Sequence, residues 1–564
     1  MKRYIIASFA VLMSFASCSL IEKPASMYEK DTYFASESKA RMAVAGAYNS
    51  LSTTKHYGQW EMAMPSSDDT YYINGTGSDN TRRDISHYNN TLTSNNTWIA
   101  SSWTYKYLGI DRCNVAVDGI EHMDGYEDNA TLKSLDAQAR FLRAFLAFDI
   151  IKYWGDAPFT TKFTAGYDAA FKGRVDREVI YDAILEDLGF CADNLPMASA
   201  TSNPEVPCQG AAHVLAMRVL LQRAGYSLKL DGSFTRPDDA TRKKYFDAVL
   251  EQWKALQDKG FHGFYDGGYG KLFQDYCGEV LNQKESLWEI AFHPIGATYS
   301  ENDGFWGTWN GPLVDAPTGT DGEDYDSSKA MGRANAFFRV VPAWKDFFEV
   351  TDERRDVMVC SYQLKWNATT KVHDKKEQAY PKNAKNWYPG KWRREWMKPG
   401  FYHPNATDVN YCPLRYADAV LMAAEALNET GRTSQAWDLL NSVRTRSGAT
   451  AITASNYATL MKAPKVYDLP FIDDSDDAGK FRTALYYERA FELAFEGQRK
   501  WDLIRWGIIK ESMQLFESNL PSSCNGLYVA GSNFVKGKHE LFPIPLSEIQ
   551  ANPDLENKNN PGYE

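Results

Sequence analysis

Tyr486–Gly507 reads YYERAFELAFEGQRKWDLIRWG, and its spacing decides the fold class. Ala490, Phe491, Ala494, Phe495 and Trp501 recur at three- and four-residue steps, the period of a buried helix face. The charges on the same run are unusual. Glu488, Glu492 and Glu496 stand four apart, which is unfavourable on an isolated helix. Arg489 and Arg499 lie on neighbouring faces, and Glu496 can reach Arg499 or Lys500. Gly497 falls inside the helical pattern at a cost of about 1 kcal/mol relative to alanine, so another segment is expected to pack closely there. A helix this apolar and this charged is expected to be clamped on several sides, in the core of a large helical domain and not in an active site.

Further helix pairs flank it. Asp136–Trp154 with Arg177–Leu195, Ala211–Leu230 with Thr241–Lys259, and Arg415–Thr430 with Ser434–Arg446 carry alanine and bulky apolar residues at helical spacing. Each hairpin exposes an apolar face that only a neighbouring hairpin can cover, as in tetratricopeptide stacks. Lys39–Leu51 and Trp98–Ile120 are further helices. Residues 65–97 are polar and turn-rich and read as a long, functional loop. Phe261–Gly400 is rich in Gly, Pro, Asn, Asp and Trp, with one strand-like alternation at Leu287–Phe292, LWEIAF. It reads as loops and short strands over the helices, and as the seat of specificity.

The bulk numbers exclude several classes. A net charge of −11 without a basic patch argues against nucleic acid. The chain is 44% hydrophobic, enough for a large core. Its 16 Trp, 33 Tyr and 29 Phe suit both such a core and the stacking of sugar rings. At the start, Lys2 and Arg3 precede the mostly apolar Tyr4–Met13 and then Ser14-Phe15-Ala16-Ser17-Cys18. This is an export signal, too short to span a bilayer. Small residues before Cys18 resemble a lipoprotein processing site. Acylation of Cys18 would anchor the chain at about 0.8 kcal/mol per buried methylene; the alternative is ordinary cleavage beside an incidental cysteine. The other seven cysteines show no C-x-x-C pair and read as small buried hydrophobes.

The run ERAFELAFEGQRKWDLIRWG closely resembles the C-terminal helix of the SusD/RagB family, the nutrient-binding surface lipoproteins of Bacteroidetes-type outer membranes. RYADAVLMAAEALNETG at Arg415–Gly431, LLNSVRTRSG at Leu439–Gly448, LFPIPLSEIQANPDLENKNNPGY at Leu541–Tyr563 and AQARFLRAFLAFDIIKYWGDAP at Ala137–Pro158 agree with it in order. The resemblance implies a mostly α, SusD-like fold of tetratricopeptide-like hairpins with a loop-rich cap and few short strands. The corresponding division is a signal peptide (1–17), a lipidated tether (18–35), an N-terminal helical part (36–260), a cap (261–400) and a C-terminal helical part (401–564) that forms one unit with the N-terminal part. It further implies a cell-surface lipoprotein of the outer membrane that binds oligosaccharide or polysaccharide without altering it. A SusC-like TonB-dependent transporter is the implied partner. Peptide capture, as in the RagB branch, and a purely structural lid are the alternatives.

Sugar rings present C–H faces to exposed aromatics and hydroxyls to polar side chains. Members of this family bind through aromatics from an early loop and from the region after the strand-like motif. By position Tyr72 or Trp98 matches the first, and Trp306 or Trp309 the second, with Tyr299 nearby; Asp69, Asn74 and Asn95 are candidate polar partners. The same rings could instead pin long loops to the core. No catalytic pair is expected: a glycosidase needs two carboxylates at a set separation, and nothing brings Glu289, Asp303 and Asp315, or Asp68 and Asp69, into one. No cofactor or metal is expected either. The nine histidines show no H-E-x-x-H, and Asp315–Ser328 lacks the EF-hand order. Arg140 and Arg143 read as ion-pair partners at a helix edge.

Overall fold

The computed structural model describes residues 33–563 apart from 65, 74–79, 296–300, 316–329, 402 and 462–464. The fold is mostly α. Helices α1 (Glu37–Leu51), α2 (Asn80–His87), α3 (Thr97–Glu121), α4 (Ala130–Trp154), α5 (Arg177–Asn194), α6 (Gln209–Ala224) and α7 (Asp239–Asp258) come first. Helices α8 (Tyr416–Glu429), α9 (Thr433–Arg446), α10 (Asp477–Leu493), α11 (Arg499–Arg505) and α12 (Ile509–Ser518) follow the cap. Each of α3 to α7 packs against the next, α8 against α9, and both against α10. Contact between α7 and α8 joins the two halves across the long insertion, so Phe141, Leu215, Leu421 and Phe491 share one core. Starts are set by side-chain caps: Asn96 for α3, Asn129 for α4, Asp176 for α5, Asp238 for α7 and Asp476 for α10. The expected ion pairs of α4 are present, Arg143 with Asp187 at 2.7 Å and Arg140 with Asp136 at 2.9 Å.

The strands form isolated antiparallel pairs. β1 (Thr70–Tyr72) pairs with β3 (Phe338–Val340), Thr70 opposite Val340 and Tyr72 opposite Phe338. β2 (Ser286–Ile290) pairs with β6 (Tyr411–Arg415) through a bulge, and β4 (Tyr362–Asn367) with β5 (Val372–Glu377). A two-stranded ribbon is marginal alone; β1–β3 and β2–β6 are held because their side chains are buried in the helical core.

The clamp on α10 and the turn after it is made by four arginines and a lysine. Glu488 accepts from Arg354 at 2.5 Å and Arg444 at 2.9 Å. Glu492 accepts from Arg446 at 2.5 Å and Arg415 at 2.8 Å. Glu496 accepts from Lys391 at 2.5 Å and Arg415 at 2.9 Å. Three stacked carboxylates tolerate one another because five cations from four other segments face them. Burial pushes the Glu492 carboxyl up, but the guanidiniums of Arg446, Arg415 and Arg354 outweigh it and hold the group at about 2.

Two expectations for this region need correction. Gly497 is not mid-helix: α10 ends at Leu493, Phe495 and Gly497 adopt φ of 67° and 82°, and α11 begins at Arg499. The close approach at Gly497 is real, since a Cβ there would lie 3.0 Å from a Glu61 oxygen and 3.1 Å from the Tyr411 hydroxyl. Nor does Glu496 pair with Arg499. That arginine crosses to Asp68, at 2.7 and 2.8 Å. The described residues of 65–97 are accordingly no free surface loop: they contain β1 and α2, and Asp68, Asp69 and Thr70 are buried. Their polarity serves an internal network in which Asp68 also accepts from Tyr486 and Ser512.

Candidate functional site

An aromatic cage forms where the early segment meets the cap. Tyr72 ends β1, Arg82 lies in the first turn of α2, Trp98 in the first turn of α3, Trp309 in the turn after Phe305, and Phe337 just before β3. Asn96 ties two of these together. Its side-chain oxygen accepts from the Trp98 and Ile99 amides, and its amide nitrogen donates to the Thr81 carbonyl at 2.8 Å. Backbone bonds set the rest: the Ile73 amide donates to the Phe337 carbonyl at 2.8 Å, and the Phe338 amide to the Trp309 carbonyl at 3.1 Å. The His87 ring bonds the Tyr72 carbonyl at 2.8 Å.

The Arg82 guanidinium sits 4.2 Å from the centroid of Trp309, 5.1 Å from Phe337, 5.4 Å from Trp98 and 6.0 Å from Tyr72. Each such contact is worth ~0.5–1 kcal/mol when exposed and more when desolvated. The rings also meet one another edge-on, Trp98 with Trp309 at 6.0 Å and Trp309 with Phe337 at 5.3 Å. Trp309 and Tyr72 are buried, whereas Arg82, Trp98 and Phe337 are half-buried and form the accessible side. The five side chains supply ring faces and guanidinium donors but no carboxylate. Ring faces and guanidinium donors are the groups that polyhydroxylated ligands pack against and hydrogen-bond to.

The comparisons with known proteins agree from both ends. Residues 320–563 match the family model described as the SusD family, and residues 20–221 match a second one, described as starch-binding, associating with outer membrane. The chain belongs to the SusD/RagB family. A SusD-like protein of Formosa agariphila is 25% identical over 98% of this chain and 97% of its own length. The crystal structure of a SusD homolog from Bacteroides thetaiotaomicron matches with a TM-score of 0.76 and 25% identity, covering 95% of this chain and 98% of that one. Surface glycan-binding protein A from the same organism, solved in complex with laminarihexaose, matches with a TM-score of 0.62 and 19% identity over 93% and 99% of the two chains.

Within this SusD/RagB scaffold the residues singled out from sequence separate into groups. Tyr72, Trp98 and Trp309 come together around Arg82. Trp306 does not join them: it is 1% exposed and stacks on Tyr411 at 4.6 Å and 5°, with Trp392 at 4.8 Å. The expected Trp306–Trp309 pair is therefore split, because a turn sends neighbouring side chains in different directions. Asp69 is also internal. It accepts from Ser67 at 2.5 Å, and burial with the adjacent Asp68 charge pushes its carboxyl up to about 6. Asn95 is exposed beside the capping Asn96. Cys18, Asn74, Tyr299 and residues 316–328 of the acidic loop lie outside the described residues.

Arg82 and Phe337 went unrecognised in the sequence. Arg82 sits in TRRD, one of many charges in a run that reads as a long loop, and Phe337 in a stretch that reads as loops and short strands, where nothing singles it out. Glu289, one of the imagined catalytic acids, is buried within β2 and accepts from Ser286 at 2.5 Å and Asn410 at 2.9 Å, and burial pushes it up to about 7. Among the described residues no three His, Cys, Asp or Glu side chains gather as a metal site, and no helix is long and apolar enough to cross a membrane. The seven cysteines from Cys113 to Cys524 are free thiols, all buried except the half-buried Cys412.

Proposed function

We propose that this chain is a surface lipoprotein that captures oligosaccharides at the Arg82 cage without altering them and passes them to a SusC-like TonB-dependent transporter. The observation that carries the reading is the cage itself: one guanidinium ringed by four aromatics, with Trp98 and Phe337 open on the accessible side. A sugar ring stacks on Trp98 or Phe337, and Arg82 and Asn95 bond its hydroxyls. Buried Trp309 and Tyr72 stiffen the platform, so little conformational entropy is lost on binding. A site of this size gives modest affinity, which suits a protein that must release its cargo.

Family membership and the glycan-binding relatives support this reading. One solved relative of the same fold is described as a laminarin-binding SusD-like protein, another holds laminarihexaose. Acylation at Cys18 supplies the anchor in the outer membrane, with the cage held at the cell surface. The SusC-like barrel is inferred from the family alone.

The test is a binding screen of the chain from residue 19 onward against plant, host and microbial polysaccharides and a peptide mixture. Retention by one glycan class, abolished by Trp98→Ala, is the expected result. Binding to peptides alone moves the protein to the RagB-like reading. New reducing ends appearing on prolonged incubation contradict the non-catalytic assignment.

A further inference from the structure

A second cleft opens in the helical scaffold, with a volume of about 500 Å³, inside the range of small-ligand sites. It lies between the start of α7, the end of α8, the side of α10 and the end of α11, and shares no residue with the Arg82 cage. Half-buried Trp506 and Phe471 line it together with buried Phe246.

Its charges are unevenly matched. Arg505 is committed to Glu425, which also accepts from the Trp506 indole at 2.9 Å. Further along, one carboxylate serves two guanidiniums: Glu429, 10% exposed, accepts from Arg482 Nε at 2.6 Å and Arg242 Nη2 at 3.4 Å. Asp239 stands 3.5 Å from Arg242, but its side chain is 87% exposed and solvent screens it. The Nη groups of Arg482 have no hydrogen-bond partner among the described residues, and that side chain is 46% exposed. Arg236 and Lys243 also line the cleft, as does the exposed Asp473, so five cations face four carboxylates. Asp476 lies near Arg482 as well, and in a chain of net charge −11 the lining keeps one net positive charge beside an aromatic surface.

We propose that the cleft is a second saccharide site, selective for a sugar unit bearing an anionic group, a carboxylate or a sulfate ester. The sugar's C–H face lies on Trp506 and Phe471, and its anionic group meets the open Nη edge of Arg482, a geometry suited to two parallel hydrogen bonds. Arg242 adds a second positive charge across Glu429. This rests on the saccharide-binding reading above and extends it to a site on the opposite kind of structure, packed helices instead of cap loops.

The test titrates methyl glucuronide, glucose 6-sulfate and neutral methyl glucoside into the chain from residue 19 onward. At least one anionic sugar is expected to bind roughly tenfold or more tightly than the glucoside. Arg482→Gln removes that preference, Arg482→Lys restores part of it, and raised salt weakens it. Arg482 is largely exposed, and circular dichroism confirms that both variants fold. The proposal is overturned if no sugar shows an anion preference, if the preference survives Arg482→Gln, or if Trp98→Ala abolishes it. Failure here leaves the cage untouched: a panel glycan lost in Trp98→Ala but kept in Arg482→Gln sinks this inference alone. A glucuronide that depends on Arg482 in a protein whose cage binds no glycan sinks only the first reading.

Discussion

Arginine plays opposite parts in two regions of this molecule. Beneath α10, Arg354, Arg415 and Arg444 are buried and meet carboxylates at 2.5–2.9 Å. At the cage, half-buried Arg82 meets the faces of four aromatic rings. The first arrangement is closed. Its charges are matched inside the protein, so it locks the cap to the C-terminal helices and leaves nothing to offer a ligand. The second is open on one side, and the rings that hold the cation are also surfaces that a sugar can share. The contrast separates a stabilising cluster from the one proposed to bind more sharply than residue type does, since both are built from arginine and aromatic side chains.

Breaking the closed network should have the largest effect. Arg415→Met leaves Glu285, Glu492 and Glu496 without their shared partner, and losing one side of a buried ion pair costs about 3–5 kcal/mol. Denaturant titration should show that fall; an unchanged midpoint would mean that the network contributes little.

Acid sharpens the same point. Glu492 is held at about 2, below its ordinary 4.5. Its contribution is therefore complete above about pH 4.5 and lost as pH falls toward 2, by about 3 kcal/mol in all. Burial acts the other way on Asp69 and Asp136, each raised to about 6, and on Glu289, raised to about 7. The folded state takes up protons there before the unfolded state does, so stability should rise as pH falls from 7 to about 5 before the acid limb sets in. Glu492→Gln should flatten the acid limb and Glu289→Gln the upper one, read from denaturation midpoints across pH.

Gly497→Ala is a smaller perturbation of the turn that separates α10 from α11. Its φ of 82° and the 3.0 Å approach to Glu61 should cost about 1–2 kcal/mol, seen as a lower melting temperature. A neutral outcome would show that the turn relaxes freely.

Much of the closed region was legible in the sequence. Apolar periodicity marked the hairpins, and three glutamates four apart on an apolar helix demanded cations from elsewhere. The break at Gly497 was hidden because a glycine needed for positive φ looks the same as one tolerated inside a helix. Asp68 and Asp69 were misplaced because a buried polar network and a solvated loop share a composition. The cage was legible only in part. Tyr72, Trp98 and Trp309 stood out as aromatics off the helical period, but they come from segments more than two hundred residues apart, and Arg82 looked like one charge among many. Trp306, three residues from Trp309, has the same local sequence character and a different destination: both rings are buried, but Trp306 packs on Tyr411 of β6 and Trp309 beneath Arg82.

Trp98 and Trp306 give the most direct test of the central claim. Affinity for the glycan that the screen identifies should be measured by calorimetry in Trp98→Ala and Trp306→Ala, with the melting temperature of each. Trp98→Ala should lose tenfold or more in affinity, about 1.4 kcal/mol, with little change in melting. Trp306→Ala should lose about 3–5 kcal/mol of stability and keep its affinity wherever it stays folded. Full affinity in Trp98→Ala would contradict the account and remove the Arg82 cage as the binding site.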